Sequence, residues 1–210
     1  MFLDKLCKTN PNLIQTAVHM HQQKQIMPDT YVVDVDQFIA NAKAILQKAN
    51  EQNIELYYML KQIGRNPYLA MELEKVGYKG AVVVDFKEAE VMMKNHLHIA
   101  HAGHLVQIPS MMINQLVEYG CDYITVYSYE KLVEINEAAK KEGTIQKICV
   151  RVIGENDRIY SGQTAGFYLE QLEELVQKAK NLTHIEIAGV DNFPCFLYDE
   201  STKQIEAQEN

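Results

Sequence analysis

The stretch GAVVVDFKEAEVMMKNHLHIAHA, residues 80–102, contains one complete strand–helix–strand pattern. GAVVVD (80–85) and LHIAHA (97–102) are short apolar runs of the strand type. Between them, Ala89, Met92 and Met93 recur at helical spacing in a segment that starts at Phe86. Because two strands joined by a crossover helix pair in parallel, this stretch predicts an α/β fold.

The same alternation continues on both sides of this stretch. Five more strand candidates are TYVVDV (30–35), ELYYML (55–60), DYITVY (122–127), KICVRVI (147–153) and THIEIAGV (183–190). A doubly wound sheet and a (β/α)8 TIM-type barrel both fit seven strands that alternate with helices. No G-x-G-x-x-G follows the first strand, so we favour the barrel.

The expected barrel is incomplete, because an eighth strand is not found and the tail STKQIEAQEN is polar, without a terminating element. A helix is expected at about residues 11–25, before Pro28. We therefore expect an N-terminal helical extension over residues 1–28 and a barrel over residues 29–210, in a truncated or split form of a longer protein.

Composition narrows the class of partner. With 210 residues and 47% hydrophobic content, the chain can form one sizeable core. The net charge of −8 argues against nucleic acid or an anionic membrane surface, so the expected partner is a small molecule or another protein. We find neither a signal peptide nor a membrane span, and expect a cytoplasmic protein. The spacing of the four cysteines indicates neither a zinc ribbon nor a disulfide framework.

Polar residues directly after the apolar runs are the candidate site residues, because a parallel barrel carries its chemistry at the carboxyl ends of its strands. These residues are Lys61, Asp85, His104, Tyr127, Arg151 and Asn192. Some have a simpler structural role. Asp85 and Ser128 are typical helix N-caps, and Arg151 could form an ion pair at the rim of the core.

Lys61 is the strongest candidate, in LYYMLKQIGRNP (56–67). A lysine that extends its charge to solvent is the structural alternative. However, the residues after Lys61 favour an anion site. Gly64 permits close approach of the backbone, and Asn66 and Pro67 are typical N-cap and N1 residues of a helix. Free amide groups are therefore expected near Arg65, where they would suit an anion. A lysine partly desolvated by the apolar run would have more uncharged amine to form a Schiff base. This combination suits an aldehyde cofactor that carries a phosphate.

The histidine-rich stretch HLHIAHAGH (96–104) invites interpretation as a metal site, but its spacing disfavours one. His96 and His98 would share one face of a strand and His101 the other, and no H-E-x-x-H motif is present. We expect no metal. His104, which follows Gly103 at the end of the strand, is the histidine that could face a ligand.

Several segments resemble the alanine racemase N-terminal domain family of pyridoxal-phosphate enzymes of fold type III, and within it the YhfX-like subgroup. They are TYVVDVDQFIANAKAI (30–45), YYMLKQIGRNP (57–67), VVVDFKEAEVM (82–92), GHLVQIP (103–109), YITVYSYEKL (123–132) and GVDNFPC (189–195). The resemblance implies a pyridoxal 5'-phosphate cofactor, a small amino acid as substrate, a racemase-like activity and a homodimer. It also implies that the family's C-terminal β-domain is absent from these residues.

The resemblance assigns roles by position. Lys61 is similar to the Schiff-base lysine that also removes the α-proton, and Arg65 stands where alanine racemases have a tyrosine near the phosphate. Arg151 and the turn TAGF (164–167) resemble elements that border the cofactor, and Asn192 replaces the histidine of a T-H-F motif. The expected cofactor-binding residues are thus Lys61, Arg65, His104, Tyr127, Arg151 and Asn192.

Two alternatives remain open at the level of sequence. The chain could be a non-catalytic pyridoxal-phosphate-binding module, similar to the single-domain homeostasis proteins, although their S-K-T and F-G-E-N motifs are absent. It could also be an inactive fragment of a longer racemase-like enzyme.

Overall fold

The computed structural model describes residues 2–157 and 159–207. They form two compact units that divide after Ile54. The boundary expected at residue 28 stays a prediction.

The unit before the division contains three helices: α1 Phe2–Thr9, α2 Pro11–Gln22 and α3 Val35–Glu51. Asn10 caps α2, accepting the amide hydrogen of Leu13, and also donates to the Asp34 carboxylate at 2.8 Å. Asp34 in turn caps α3. The strand predicted for TYVVDV is wrong: among the described residues none forms a β-bridge with this segment, and Val35 already belongs to α3.

The unit after the division alternates strands with helices. The strands are β1 Ala81–Val83, β2 Ile99–Ala102, β3 Tyr123–Val126, β4 Gln146–Arg151 and β5 Ile185–Asp191. The helices are α4 Pro67–Val76, α5 Phe86–Lys94, α6 Ser110–Tyr119, α7 Tyr129–Glu142 and α8 Leu172–Ala179, with 3-10 turns at Lys61–Ile63 and Leu169–Gln171. The five strands form one parallel sheet in the order β1-β2-β3-β4-β5. The predicted α/β architecture is confirmed.

The strand predicted for ELYYML is reduced to one parallel bridge, between Tyr58 and Ala81. The backbone leaves the extended conformation at Leu60, where ψ is 5°, and enters the 3-10 turn of Lys61. The edge of the sheet beside β1 is therefore extended by a single residue. Five of the seven strand candidates form strands, and the sheet does not close into a barrel within the described residues.

The sheet is nevertheless strongly curled. β3 and β4 lie between β2 and β5, which would separate β2 from β5 by about 14 Å in a flat sheet. Yet His104, just after β2, places its Nδ1 2.9 Å from Oδ1 of Asp191 in β5. This is the curvature of a barrel. α5 packs on β1 and β2, and α7 on β3 to β5.

The C-terminal tail forms an element that the sequence analysis did not predict. β6 (Phe196–Asp199) and β7 (Gln204–Ala207) pair as an antiparallel hairpin. Asp199 stabilises its turn, because its Oδ1 accepts the amide hydrogens of Ser201 and Thr202 at 2.7 and 2.9 Å. A polar tail can thus form a hairpin when a turn aspartate fixes the reversal. None of the described helices has the length and apolar character needed to span a membrane.

Candidate functional site

The carboxyl ends of β2 to β5 bring a polar cluster to one face of the sheet. His101 pairs in register with Tyr123, Thr125 with Cys149, and Arg151 with Asp191. Since side chains two residues apart on a strand share a face, His101, Thr125, Arg151 and Asp191 lie on the same face. His104 reaches over this face from the loop after β2.

A hydrogen-bond network centred on Asp191 connects these side chains. His104 Nδ1 lies 2.9 and 3.0 Å from the two carboxylate oxygens. Thr125 donates its hydroxyl to Oδ2 of Asp191 at 3.3 Å, and His101 Nε2 lies 2.6 Å from Thr125 Oγ1. Because a carboxylate only accepts, the network assigns a proton to Nδ1 of His104 and to Nε2 of His101.

Burial keeps His101 neutral. It lowers the pKa of His101 from 6.5 to about 4, against the opposing effect of the nearby Asp191 carboxylate, and the neighbouring His104 lowers it further. His101 is therefore a neutral hydrogen-bond donor at pH 7. The Asp191 carboxylate contacts His104 directly, and Nε2 of His104 has no hydrogen-bond partner among the described residues.

Arg151 lies at the buried end of β4, with its side chain only 3% exposed. Its Nη2 donates to the Phe193 carbonyl at 2.7 Å. Its buried Nη1 has no hydrogen-bond acceptor in the described chain, with the Asp191 carboxylate 4.0 Å away. A Cβ at Gly166 would lie 3.0 Å from Arg151 Cγ, so the TAGF turn closes against this side chain.

Tyr127 supports the loop that carries His104. Its hydroxyl lies 2.8 Å from the Gly103 carbonyl oxygen and 2.9 Å from that of His104. Burial raises the pKa of Tyr127 to about 12, so the phenol remains a neutral donor. Gly103 itself has φ 86°, and a Cβ there would lie 2.6 Å from the Thr125 carbonyl oxygen. The loop therefore packs directly on β3.

Lys61 is the first residue of the 3-10 turn beside β1. Its side chain is exposed, so the expected desolvation by the preceding apolar run is wrong: the turn directs Lys61 away from the core into which Leu60 is buried. Lys61 makes no hydrogen bond or ion pair with a described residue. Its position is fixed indirectly by Glu88, which is 1% exposed and accepts the amide hydrogens of Leu60 and Val84 at 3.2 and 2.7 Å.

Burial raises the pKa of this Glu88 carboxyl, against the effect of the two amides that it binds. Glu88 thus joins the chain just before Lys61 to the end of β1, at an energetic cost to its charged form. Nothing in the sequence distinguished Glu88 from an ordinary residue in the first turn of α5.

The amide groups beside Lys61 were predicted to be free to bind an anion, but two of them are bonded within the chain. Asn66 is the N-cap of α4, as predicted, but its Oδ1 accepts the amide hydrogens of Tyr68 and Leu69 at 2.9 and 3.4 Å. Arg65 has φ 56° and donates from Nη2 to Asp85 at 3.0 Å, while its buried Nε has no partner in the described residues.

Two of the other candidates have clear structural roles. Asp85 caps α5, as the structural alternative predicted, accepting the Glu88 amide hydrogen at 2.8 Å. Asn192 turns toward the loop after β4, donating from Nδ2 to the Val152 carbonyl at 3.1 Å, with Asp157 Oδ2 3.3 Å away.

The structure therefore brings His104, Tyr127 and Arg151 together, and places Lys61 and Arg65 at the strand end beside β1. Asp191, Thr125 and His101 were not among the site residues predicted from the sequence. Asp191 carried a usable signal, since it directly follows the apolar run 183–190 and directly precedes Asn192. Thr125 and His101 lie inside their runs, where only register reveals their contact.

A separate cavity of about 610 Å³ lies at the opposite end of the sheet. It is lined by residues at the amino ends of the strands, where two pairs already satisfy one another: His98 with Asp122 at 2.7 Å, and Lys79 with Glu55 at 3.2 Å. In barrel proteins this end serves stability, so we place the candidate site at the carboxyl ends.

A curled parallel sheet with helices between its strands and polar groups at its carboxyl ends defines a barrel-type α/β domain, a class in which active sites lie at the strand ends. The model of the family "Alanine racemase, N-terminal domain" matches residues 33–210, and the chain belongs to this family. This match confirms the predicted family and, with it, the predicted class of cofactor, pyridoxal 5'-phosphate.

The chain is 45% identical over 205 residues to the uncharacterized protein YhfX of Escherichia coli (strain K12), covering 98% of this chain and 53% of YhfX. It thus spans about half the length of this relative. Diaminopimelate decarboxylase from Helicobacter pylori, complexed with L-lysine, matches 83% of this chain and 46% of its own, with 19% identity and a TM-score of 0.65. Alanine racemase of Clostridium difficile 630 matches 76% and 40%, with 21% identity and a TM-score of 0.56. At these identities the two structures establish the fold.

Proposed function

We propose that this chain is the cofactor-binding part of a pyridoxal-phosphate-dependent enzyme that acts at Cα of a small amino acid, with racemisation as the reaction. The observation that carries the proposal is Lys61, whose primary amine stands at the carboxyl edge of a fold type III domain without a partner among the described side chains. An amine so placed can bond covalently to an aldehyde.

The surrounding residues fit such a cofactor. The cofactor carries a phosphate and a phenolic oxygen, both hydrogen-bond acceptors. Arg151 Nη1 and Arg65 Nε are buried donors that have no acceptor within the described chain. A buried donor without an acceptor costs about 1–3 kcal/mol, so an acceptor-rich ligand would remove a real penalty. Lys61 would hold the aldehyde carbon, and the two arginines would bind the anionic oxygens.

When bound, the cofactor withdraws electrons from Cα of the attached amino acid and so weakens the bonds of that carbon. Lys61 supplies the covalent anchor and, once released, a base for the α-proton. Glu88 holds the backbone before Lys61 in place, and Arg151, buried beside Gly166, contributes a fixed positive charge. The protein's part is thus to anchor, to orient and to move a proton.

A non-catalytic cofactor-binding module is the second candidate, and Asn192 favours it. Asn192 stands where the resemblance implies a histidine, and an amide does not titrate. Decarboxylation is a further possible outcome for an enzyme of this fold, since one solved relative is a decarboxylase. All three functions require the same lysine.

Incubation with pyridoxal phosphate followed by borohydride reduction and peptide mapping tests the proposal. We expect a visible absorption band and a reduced adduct on Lys61, both lost in Lys61→Ala. Lys87→Ala is the matched control, because Lys87 is also exposed and lies in the first turn of α5, near the same edge. An adduct spread over several lysines would refute the proposal. Deuterium incorporation at Cα of added amino acids then separates an enzyme from a binding module.

The homodimer implied by the family resemblance is also a proposal. Light scattering on the purified chain, with and without cofactor, tests it, and a strictly monomeric protein in both conditions would contradict it.

A further inference from the structure

We propose that His104 is a proton-transferring catalytic residue of this site and that Asp191 is its positioning residue. The proposal rests on the proposed function, since it needs an amino acid bound through the cofactor. It assigns to His104 the titratable group that Asn192 does not provide.

The geometry leaves one nitrogen of His104 available. Nδ1 is held between the two oxygens of Asp191 at 2.9 and 3.0 Å. With the proton on Nδ1, Nε2 carries a lone pair, and no described residue makes a hydrogen bond to it. The side chain of His104 is 17% exposed and that of Asp191 9%, so the imidazole is partly open while its partner carboxylate is enclosed.

The imidazole is held in one orientation by contacts on several sides. The edge-to-face contact with Phe193 has ring centroids 5.2 Å apart, and His101 lies 5.7 Å away on another side. Tyr127 hydrogen bonds to the backbone carbonyl of His104 itself. A histidine needed only for packing would not require a charged partner that brings an additional buried carboxylate into the fold.

The second histidine–aspartate pair in the chain shows the contrast. His98 and Asp122 also form a 2.7 Å contact, but at the amino end of the sheet, and their side chains are 44% and 41% exposed. That pair uses Nε2 of the histidine rather than Nδ1. It is an ordinary surface pair, and it provides an internal control.

In the proposed step the Cα–H bond of the bound amino acid breaks and the proton moves to Nε2 of His104. The electron pair of the broken bond stays with the substrate and cofactor. The imidazolium formed on His104 is stabilised by the Asp191 carboxylate. The other groups near this carboxylate include neutral His101, the Arg151 guanidinium, the Tyr127 phenol and the Cys149 thiol. Return of a proton from Nε2 restores the starting configuration, whereas return of a proton from the amine of Lys61 inverts it. Nε2 and the amine then exchange protons with water, so that no further reactant is consumed.

The first test uses the tautomers and needs no activity. In protein labelled with ¹⁵N-histidine, long-range ¹H–¹⁵N spectra near neutral pH should show His104 with its proton on Nδ1 and His98 with its proton on Nε2. Addition of pyridoxal phosphate should shift the Nε2 signal of His104 and leave His98 unchanged. A neutral His104 protonated on Nε2, or one that does not respond to the cofactor, would overturn the proposal.

The second test measures deuterium incorporation into L-alanine and L-lysine in D₂O by the cofactor-loaded chain. His104→Gln should slow the exchange about 100-fold or more, while retaining the adduct on Lys61. Asp191→Asn should lower the rate and change its pH profile, and His98→Gln should stay within about twofold of the wild type. Exchange by His104→Gln at the wild-type rate, or its absence in loaded wild type, overturns the role of His104. Failure of the wild type to form the Lys61 adduct instead refutes the proposed function.

Discussion

His101 should make the stability of this protein depend on pH. The imidazole is largely enclosed at the candidate site, and its Nε2 lies 2.6 Å from Thr125 Oγ1. Protonation would place a positive charge in a poorly solvated position, which is why burial lowers the pKa of His101 to about 4. The perturbation that isolates this effect is His101→Gln, because the glutamine amide can still donate to Thr125 but cannot bind a proton.

The sign and size follow from the two states. The pKa of His101 is about 4 in the folded chain and 6.5 at its ordinary value, so the unfolded chain binds the proton first as the pH falls. Stability is therefore fully present above pH 6.5 and is lost on acidification toward pH 4. The wild type should lose about 3 kcal/mol between pH 7 and pH 4 from this group, of which about 2 kcal/mol is lost by pH 5.

Urea unfolding at several pH values between 7 and 4 measures this effect. Carboxyl groups also titrate in this range. They are present in both proteins, so their contributions to the free energy of unfolding cancel in the difference between wild type and His101→Gln. His98→Gln is the control for the substitution itself, because it removes an exposed imidazole from the opposite end of the same sheet. The difference in free energy of unfolding between wild type and His101→Gln should change with pH. A change of less than about 0.5 kcal/mol between pH 7 and pH 4 would refute the effect of burial.

Two further changes test the supports of the site. Glu88→Gln should lower the free energy of unfolding by about 1–3 kcal/mol in urea titrations at pH 7. The reason is that the glutamine side chain can accept only one of the two backbone hydrogens that Glu88 binds. Glu90→Gln on the same helix is the control and should change the free energy of unfolding by less than about 0.5 kcal/mol. Equal effects of the two would contradict the role of Glu88. Gly103→Ala should lower the melting temperature more than Gly120→Ala. Both glycines have positive φ, but only at Gly103 would a Cβ contact the backbone, 2.6 Å from the Thr125 carbonyl oxygen. The extra cost in folding free energy is about 1–3 kcal/mol, and equal shifts in melting temperature would contradict it.

The parallel core of the fold could be predicted from local pattern, because each of β1 to β5 is a short apolar run and a helix follows each of β1 to β4. Asp85 and Ser128 cap α5 and α7 as expected from residue type alone. TYVVDV shows the limit of this reasoning. Its residues suit a strand, but a strand exists only beside a hydrogen-bonded neighbour, and the capping aspartate Asp34 starts a helix there instead.

The candidate site was predictable where it depends on position at a strand end, and unpredictable where it depends on contacts between strands. His104 and Tyr127 were predicted because each follows or ends an apolar run, and Arg151 because it is a charged residue near the end of one. The contact of His104 with Asp191 depends on the curl of the sheet, which no local pattern encodes. The exposure of Lys61 likewise depends on the point at which the chain leaves the extended conformation.

The hydrogen bond between His104 and Asp191 also has a consequence for the order of folding. It joins residues 87 positions apart, with β3 and β4 between them in the sheet. Contacts of such sequence separation form late, because the intervening chain must first be ordered. During synthesis, β2 is made long before β5, so His104 is present well before Asp191, the residue that orients it. The site therefore matures only when the last parallel strand has docked, and a folding intermediate without β5 would have secondary structure but no oriented histidine.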